Sequence, residues 1–413
     1  MLKTNPVHRP VYESLLESYR DTADVKVLTG VRRCGKSTLL AMLADSFKRL
    51  VPEQNVFYRR MDAFGVPLNP NAEWLEGEIV AAIARSDESQ PFYVLLDEIQ
   101  DVENWEKVIR RLHTRPHTDV YITGSNAYVL SSDLSTLLSG RYVELKIHPL
   151  SFAEFCDFAS GAQGMPNASD ELFAEYMRYG GMPGQFDVPK RDREHLARFL
   201  EAVSDTIILK DVAMRTQIGD MDLLSKLVRY AFSTSGNLFS TRNIVNALTS
   251  SGRKTSSETI DNYLGALKNA FIVDECEQEG IAGKQVLRPL RKFYPVDTGL
   301  RNLTTNFATK DIGSQLECVV FNELKRRGCS VTVGALAKGE VDFVADLNGA
   351  KEYFQVTESL VAPEVYEREI RPFDAIGDSF PKTVLTLDRY RTGITEKGVS
   401  IVNAIDWLMD NKS

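Results

Sequence analysis

The sequence predicts an α/β fold in which residues 1–150 form a parallel β-sheet with helices on both faces. Two observations lead to this prediction. Short apolar runs typical of buried strands alternate with segments of helical apolar spacing, and a glycine-rich loop joins the first strand to the helix that follows. The alternation stops after Pro149, and the chain of 413 residues is longer than one hydrophobic core usually organises. Further domains are therefore expected after the sheet.

The first strand, residues 25–28, runs into a loop with the spacing G-x-x-x-x-G-K-S. Between a strand and a helix, such glycines allow backbone amides to surround phosphate groups at the helix N-terminus. Lys36 is predicted to reach the β- and γ-phosphates of ATP, and Ser37 to supply a hydroxyl to Mg²⁺. The other predicted ATP contacts in and beside this P-loop are Gly30, Arg32, Arg33, Cys34, Gly35 and Thr38. The two arginines could equally face solvent, because the loop binds anions mainly through its backbone.

A second buried strand, residues 92–96, ends in the acidic pair Asp97 and Glu98. Ligands of open α/β sheets bind at the carboxyl ends of the strands. We therefore expect Asp97 to hold the Mg²⁺ shell and Glu98 to be the general base that polarises the attacking water. Glu98 and Lys36 are thus predicted catalytic residues for ATP hydrolysis. The intervening elements are a strand at residues 55–60 and helices at residues 73–85 and 105–112.

Two further positions near this sheet are open to more than one interpretation. A strand at residues 120–123 leads into Ser125 and Asn126, either of which could sense the γ-phosphate or instead cap the next helix. Arg141 starts another predicted strand, where it is a candidate to stabilise transition-state charge from a neighbouring subunit. A solvated arginine is the more common reading of such a position.

Composition limits the remaining functions. The net charge of -8 argues against a chain that coats nucleic acid by bulk electrostatics, although a local basic face stays open. No apolar run approaches the length of a membrane span, so we expect no membrane partner and a cytoplasmic location. The five cysteines are scattered, with no pair at zinc-ligand spacing, and reduced thiols are the natural interpretation.

Several motifs together resemble a widespread prokaryotic family of AAA-type P-loop ATPases with a C-terminal domain of unknown function. They are the P-loop, Asp97-Glu98-Ile99-Gln100, Thr123-Gly124-Ser125-Asn126, Leu138-Ser139-Gly140-Arg141, Pro149-Leu150-Ser151-Phe152 and Gly180-Gly181-Met182-Pro183. The resemblance implies ATP binding, an acidic strand inside the sheet, a winged-helix-like middle and a C-terminal domain similar to restriction-type nucleases. The expected domains are an AAA-type ATPase core (1–150), a helical lid (151–220), a winged-helix-like domain (221–300) and a small α/β nuclease-like domain (301–413).

DNA is a candidate partner through residues 240–292. Three helical stretches, residues 223–232, 240–248 and 256–269, suggest a helix-turn-helix, and this region offers phosphate or base contacts. Its cations include Lys254, Lys268, Arg288, Arg291 and Lys292. Acidic residues lie close by, so a protein-docking or packing module is an equal alternative.

The last predicted domain carries a possible remnant of a nuclease site. Glu317 on a helix, Asp342 on a strand and residues 355–357 on the next strand resemble the metal-binding frame of the restriction-nuclease fold. That frame usually has a lysine where this chain has Thr357, and Lys338 or Lys351 are the candidates to substitute. A catalytically degenerate domain kept for structure or docking is favoured.

The leading functional hypothesis is a Mg²⁺-dependent AAA-type ATPase, expected to be a homo-oligomer, that couples ATP hydrolysis to domain rearrangement on a DNA or protein partner. The alternative is an ATP-controlled binding switch with little turnover and an output through the winged helix on DNA or on a protein. The complete Asp97-Glu98 pair favours turnover. An ATP-regulated nuclease is less favoured, because of Thr357.

Overall fold

The computed structural model of the protein describes residues 6–127, 140–162, 164–166, 168–214, 216, 218–280, 290–307 and 311–410. Leu138, Ser139 and Arg288 lie outside these described residues. The chain divides into two compact units. Unit 1 is Met1–His148 with Asn269–Phe271, and unit 2 is Pro149–Lys268 with Ile272–Ser413.

Unit 1 is built on a five-stranded parallel sheet. Its strands are β1 (Val25–Thr29), β2 (Val56–Arg60), β3 (Phe92–Asp97), β4 (Thr118–Thr123) and β5 (Tyr142–Lys146), in the order β2-β3-β4-β1-β5. Every residue of β1 and β3 is buried, as expected for central strands covered on both faces. The acidic strand β3 lies inside the sheet between β2 and β4. The predicted parallel sheet is therefore confirmed.

Helices of unit 1 cover the two faces of this sheet. They are α1 (Pro10–Ser18), α2 (Lys36–Phe47), α3 (Ala72–Ile83) and α4 (Trp105–His113). Successive side chains of a strand point to opposite faces. On one face Phe47 of α2 stacks on Tyr93 with ring centroids 4.0 Å apart. Val94 and Leu96, which alternate with Tyr93, pack in the core that α3 and α4 cover.

A buried ion pair lies near the amino ends of the strands in unit 1. Lys26 is fully buried on β1, and its Nζ is 2.5 Å from Oδ1 of Asp119 on β4. Lys26 also donates to the carbonyl oxygen of Thr22 at 3.0 Å. The other carboxylate oxygen of Asp119 accepts from the Tyr121 hydroxyl and the Asp21 amide, each at 2.9 Å. Both charges are thus satisfied by several hydrogen bonds, as burial requires.

Helices open unit 2 and also lie between and after its strands. They are α5 (Phe152–Ser160), α6 (Ser169–Tyr179), α7 (Arg193–Thr206), continuing as a π-helix (Ile207–Met214), α8 (Met221–Ser233), α9 (Thr241–Ser250), α10 (Ser257–Asn269), α11 (Thr298–Thr304), α12 (Ile312–Arg326), α13 (Pro363–Ile370) and α14 (Ala404–Met409). Ser151 and Glu154 form a capping box that starts α5. Among the described residues of the chain, no helix is both long and apolar enough to cross a membrane.

An eight-stranded mixed sheet forms the rest of unit 2. Its strands are β6 (Val273–Gly280), β7 (Arg291–Pro295), β8 (Ser330–Ala335), β9 (Glu340–Leu347), β10 (Ala350–Thr357), β11 (Lys382–Thr386), β12 (Gly393–Ile394) and β13 (Ser400–Asn403). The order is β12-β13-β11-β10-β9-β8-β6-β7. Because β6 pairs with β8, the β6–β7 hairpin that follows α10 continues the sheet of the C-terminal residues. α12 packs on this sheet and buries Phe321 against Tyr294 and Phe343.

A buried aspartate connects two segments of unit 2. Asp297, just before α11, accepts hydrogen bonds from the backbone amides of Gly181 at 2.6 Å and Leu300 at 3.0 Å. Burial raises the pKa of Asp297 to about 6, and these backbone hydrogen bonds oppose the rise. The Gly-Gly-Met-Pro motif therefore has a structural role, since its amide satisfies a carboxylate on a distant part of the chain.

Candidate functional site

The loop after β1 is shaped by two glycines. Gly30 has a φ of +137°, and a Cβ at this position would lie 2.1 Å from the carbonyl oxygen of Ile147. Gly35 has a φ of 109° and precedes the first residue of α2. Residues that carry a Cβ rarely adopt these backbone conformations. The tight loop leads directly into α2, whose first backbone amides have no partner within the helix and can bind an anion.

Lys36 is the first residue of α2, and its side chain turns back into the loop. The buried Nζ donates hydrogen bonds to the carbonyl oxygens of Gly30 at 2.7 Å and Val31 at 3.0 Å. The ammonium is thus held inside the loop next to the N-terminus of α2. Its charge and the helix dipole both favour a phosphate group there.

Asp97 joins the P-loop to the acidic strand. Its Oδ1 accepts hydrogen bonds from the hydroxyl of Ser37 at 3.0 Å and from the hydroxyl of Thr123, the last residue of β4, at 2.6 Å. Burial raises the pKa of the Asp97 carboxyl above its ordinary value, whereas these two hydrogen bonds lower it. The structure therefore brings the two predicted metal ligands, Ser37 and Asp97, into direct contact.

The residues at this edge of the sheet fit a Mg²⁺ ion. Asp97 Oδ2 is buried, and within the described residues no donor makes a hydrogen bond to it. Arg60 at the end of β2 forms an ion pair with Asp97, with its Nε 3.7 Å from Oδ2. A carboxylate oxygen with unused lone pairs beside a serine hydroxyl supplies the oxygen ligands that Mg²⁺ prefers. Ser37 and Asp97 are the residues that would hold the ion.

Glu98 begins the turn after β3 in a left-handed conformation, with φ 55° and ψ 47°. Its amide donates to the Thr123 hydroxyl at 3.0 Å, and its carboxylate accepts from Gln100 and from the Ser125 hydroxyl at 3.4 Å. Arg32 of the P-loop donates to the same Ser125 hydroxyl at 3.3 Å. Non-glycine residues in this conformation are strained and concentrate at functional sites. Here hydrogen bonds from Gln100 and Ser125 hold the Glu98 carboxylate in a polar chain that leads through Arg32 to the P-loop.

The remaining predicted ATP contacts are placed differently from one another. Cys34 is buried and donates from Sγ to the carbonyl oxygen of Ile147 at 3.2 Å, so it supports the loop from behind. Arg33 and Thr38 are exposed, and Asn126 is fully buried beyond the end of β4. The predicted nucleotide contacts of Arg33, Thr38 and Asn126 stay predictions.

Arg141 lies at the other end of the sheet. It is exposed and directly precedes β5, which runs parallel to β1 with Tyr142 opposite Val25. The amide of Val25 donates to the Arg141 carbonyl oxygen at 3.1 Å. Since the P-loop follows the carboxyl end of β1, the structure does not bring Arg141 to Glu98 within one chain. The predicted role of Arg141 involves a neighbouring subunit and stays a prediction.

Arg9 is a residue that sequence reasoning missed. Its buried guanidinium donates to the carbonyl oxygen of Cys34 in the P-loop at 3.1 Å and to that of His148, beyond β5, at 3.0 Å. The guanidinium also lies over the Tyr12 ring, 4.4 Å from its centroid. Arg9 thus fixes the back of the P-loop to the end of the sheet. The signal in the sequence, an arginine directly before the helix-starting Pro10, is weak.

Replacing Arg9 with alanine is expected to weaken ATP affinity by up to about thirtyfold, since two hydrogen bonds worth roughly 1 kcal/mol each restrain the loop. Arg9→Lys should recover little of this, because a lysine ammonium is a compact group that cannot match the fixed spacing of the two guanidinium donors. Isothermal titration with Mg²⁺–ATP measures the change. Arg85→Ala, which removes an exposed arginine of the same unit, is the matched control. Equal affinity in Arg9→Ala and Arg85→Ala would remove Arg9 from the site.

Residues 240–292 hold several of their cations in ion pairs. Arg291 and Lys268 both pair with Glu275, and the Arg291 contact measures 2.9 Å. Lys292 is buried, so it cannot contact DNA as the sequence suggested. These pairs favour the packing alternative for this part of the chain over a continuous basic face.

Comparison with known proteins agrees with this arrangement. Residues 22–156 match the family described as an AAA domain, and residues 170–311 match a domain of unknown function, DUF8612. Over 404 residues the chain is 36% identical to an uncharacterized protein of Haemophilus influenzae, with 98% of each chain covered. The chain belongs to this protein's family. The uncharacterized protein MJ1544 of Methanocaldococcus jannaschii is also similar, 29% identical over 362 residues, with 85% of this chain and 78% of that protein covered.

A solved structure has a similar fold. The Walker-type ATPase PABY2304 of Pyrococcus abyssi superimposes with a TM-score of 0.50 at 14% identity, over 73% of this chain and 97% of that chain. At this identity the likeness concerns the fold alone. This similarity of fold and the AAA domain match both agree with the P-loop ATPase core predicted from the sequence.

Proposed function

We propose that the protein is a Mg²⁺-dependent AAA-type ATPase that couples ATP hydrolysis to a domain rearrangement on a DNA or protein partner. The observation that carries this proposal is the 3.0 Å hydrogen bond between Ser37 of the P-loop and Asp97 of the acidic strand. This contact supports the proposal that a phosphate-binding loop, a metal site and the adjacent Glu98 share one edge of the sheet. This is the set of groups that phosphoryl transfer to water requires.

Each group then has a distinct task. Lys36 and the first amides of α2 bind the β- and γ-phosphates. Ser37 and Asp97 would hold Mg²⁺, which would supply positive charge against the phosphates. Glu98 accepts a hydrogen bond from the attacking water and orients it, while Ser125 holds the carboxylate in place. Arg32, which donates a hydrogen bond to Ser125, is proposed to contact the γ-phosphate.

The other parts of the chain are proposed to rearrange with ATP hydrolysis and to contact the partner. α8, α9 and α10 followed by the β6–β7 hairpin have the element order of a winged helix, and residues 221–300 are proposed as such a domain. Residues 151–220 are proposed as the lid. We further propose a homo-oligomer in which Arg141 completes the site of a neighbouring subunit. An ATP-controlled switch with little turnover is the second candidate. For either candidate, the ion pairs within residues 240–292 favour a protein partner over DNA.

Steady-state ATP hydrolysis with and without duplex DNA tests the proposal. The wild type is expected to turn over ATP in Mg²⁺, and Lys36→Ala to bind ATP about 100-fold more weakly because a charge-assisted hydrogen bond to phosphate is lost. Lys48→Ala, an exposed lysine directly after α2, is the matched control and should behave as wild type.

The outcomes separate the candidates. Turnover raised by DNA supports a DNA partner, and turnover indifferent to DNA supports a protein partner. ATP binding without turnover supports the switch. Equal ATP affinity in Lys36→Ala and Lys48→Ala contradicts the assignment of the P-loop.

A further inference from the structure

Lys292 is a buried lysine that the nucleotide site does not use. It lies on β7 in unit 2, and only 1% of the residue is exposed. Its Nζ is 3.1 Å from Oε1 of Glu317 on α12 and 2.9 Å from Oε1 of Glu340 on β9. A buried ammonium is tolerated when opposite charges and hydrogen-bond acceptors surround it. Lys292 therefore connects β7 to two elements of the C-terminal part of the chain.

The carboxylates that resemble a nuclease metal site are already engaged with protein donors. Glu317 accepts from the Tyr294 hydroxyl at 2.6 Å as well as from Lys292. Asp342 Oδ2 accepts from the amide of Val356 at 2.8 Å. Burial, and then the charge of Glu317, raise the pKa of Asp342 well above its ordinary value, while Lys292 opposes this. The cation in contact with Glu317 is the Lys292 ammonium.

The candidate replacement lysines lie elsewhere. Lys351 pairs with Glu279 at 3.2 Å on the surface, and Lys338 is exposed in the turn before β9. The position of the usual lysine is the buried Thr357. Throughout the described parts of both units, no group of three or more His, Cys, Asp or Glu side chains is arranged to hold a metal ion. The residues present therefore do not fit a Mg²⁺ site of the kind that the resemblance implies.

We propose that Lys292 is the resident cation of this frame, its ammonium neutralising Glu317 and Glu340 where the resembling fold would bind a divalent metal. The C-terminal part of the chain is then a metal-independent module and not a Mg²⁺-dependent nuclease. The sheet supports this role, because the same β7 that carries Lys292 is joined through β6 to β8. One ion cluster and one sheet fix the hairpin after α10 to the C-terminal residues. This inference is independent of the proposed ATPase activity.

The test is Mn²⁺ binding to the full chain in the absence of nucleotide, measured by electron paramagnetic resonance. All variants carry Asp97→Asn, so that the P-loop edge contributes no metal site. With Lys292 present we expect no Mn²⁺ site in unit 2. Lys292→Met removes the ammonium at similar length and should raise Mn²⁺ affinity at least tenfold, and adding Glu317→Gln should abolish the gain. A folded Lys292→Met chain without this gain overturns the proposal.

A second measurement needs no variant of Lys292. The melting temperature of the full Asp97→Asn chain, which keeps Lys292, should be the same in Mn²⁺ and in EDTA, because a ligand stabilises only a protein that binds it. Stabilisation by Mn²⁺ that disappears in Glu317→Gln, together with plasmid cleavage that disappears in Asp342→Asn, would overturn the proposal. In that case Lys292 would act beside a metal ion and not in its place.

Discussion

Glu98→Gln is expected to slow ATP hydrolysis by about a thousandfold, within the range of roughly 10² to 10⁴ that a positioned general base contributes. The amide cannot take a proton from the attacking water, although it keeps the shape of the carboxylate. ATP affinity should stay close to that of the wild type, because the proposed phosphate contacts come from Lys36 and the α2 amides and not from Glu98. Single-turnover hydrolysis of Mg²⁺–ATP, with affinity measured separately, gives both quantities.

The matched control is Glu103→Gln, which neutralises an exposed glutamate in the same segment and should hydrolyse ATP at the wild-type rate. The two variants change net charge equally, so a difference between them reports the position of the carboxylate. Unchanged turnover in Glu98→Gln would show that another group activates the water. Loss of ATP affinity in parallel with turnover would instead indicate that residue 98 supports the strained turn after β3.

Local patterns in the sequence predicted most of unit 1. The predicted strand at residues 55–60 and the helices at 73–85 and 105–112 agree within two residues with β2, α3 and α4. Glycine spacing and the acidic strand end depend only on neighbouring positions, and the observed contact of Ser37 with Asp97 follows once the sheet is parallel. Periodicity and strand-end chemistry are short-range properties, which explains why they were sufficient here.

Long-range contacts account for what the sequence did not reveal. Arg9 reaches His148 across 139 positions of the chain, and no local pattern encodes such a pair. Thr123 and Arg60 contact Asp97 because they end neighbouring strands, which requires the strand order to be known. Lys292 belongs to a segment predicted as winged-helix-like, yet its partners lie in the predicted nuclease-like part. Tertiary packing brings these residues together, and sequence spacing does not determine it.

Asp119→Ala is expected to destabilise unit 1 by about 3–5 kcal/mol, the usual cost of leaving a buried charge without its partner. The variant keeps Lys26 fully buried and removes the carboxylate that lies 2.5 Å from its ammonium. It also leaves the Tyr121 hydroxyl without its acceptor at 2.9 Å. Urea unfolding followed by tryptophan fluorescence measures the change, and a Trp407→Phe background confines the signal to unit 1, which contains Trp74 and Trp105.

The double variant Lys26→Met/Asp119→Leu distinguishes the cost of an unpaired charge from the loss of an attractive contact. It replaces the buried pair by apolar side chains of similar volume, a change that is often neutral or stabilising for buried ion pairs. We expect it to recover at least half of the stability that Asp119→Ala loses. A double variant as unstable as Asp119→Ala would mean that the hydrogen bonds of Asp119 to Tyr121 and Asp21 stabilise the unit more than the ion pair does.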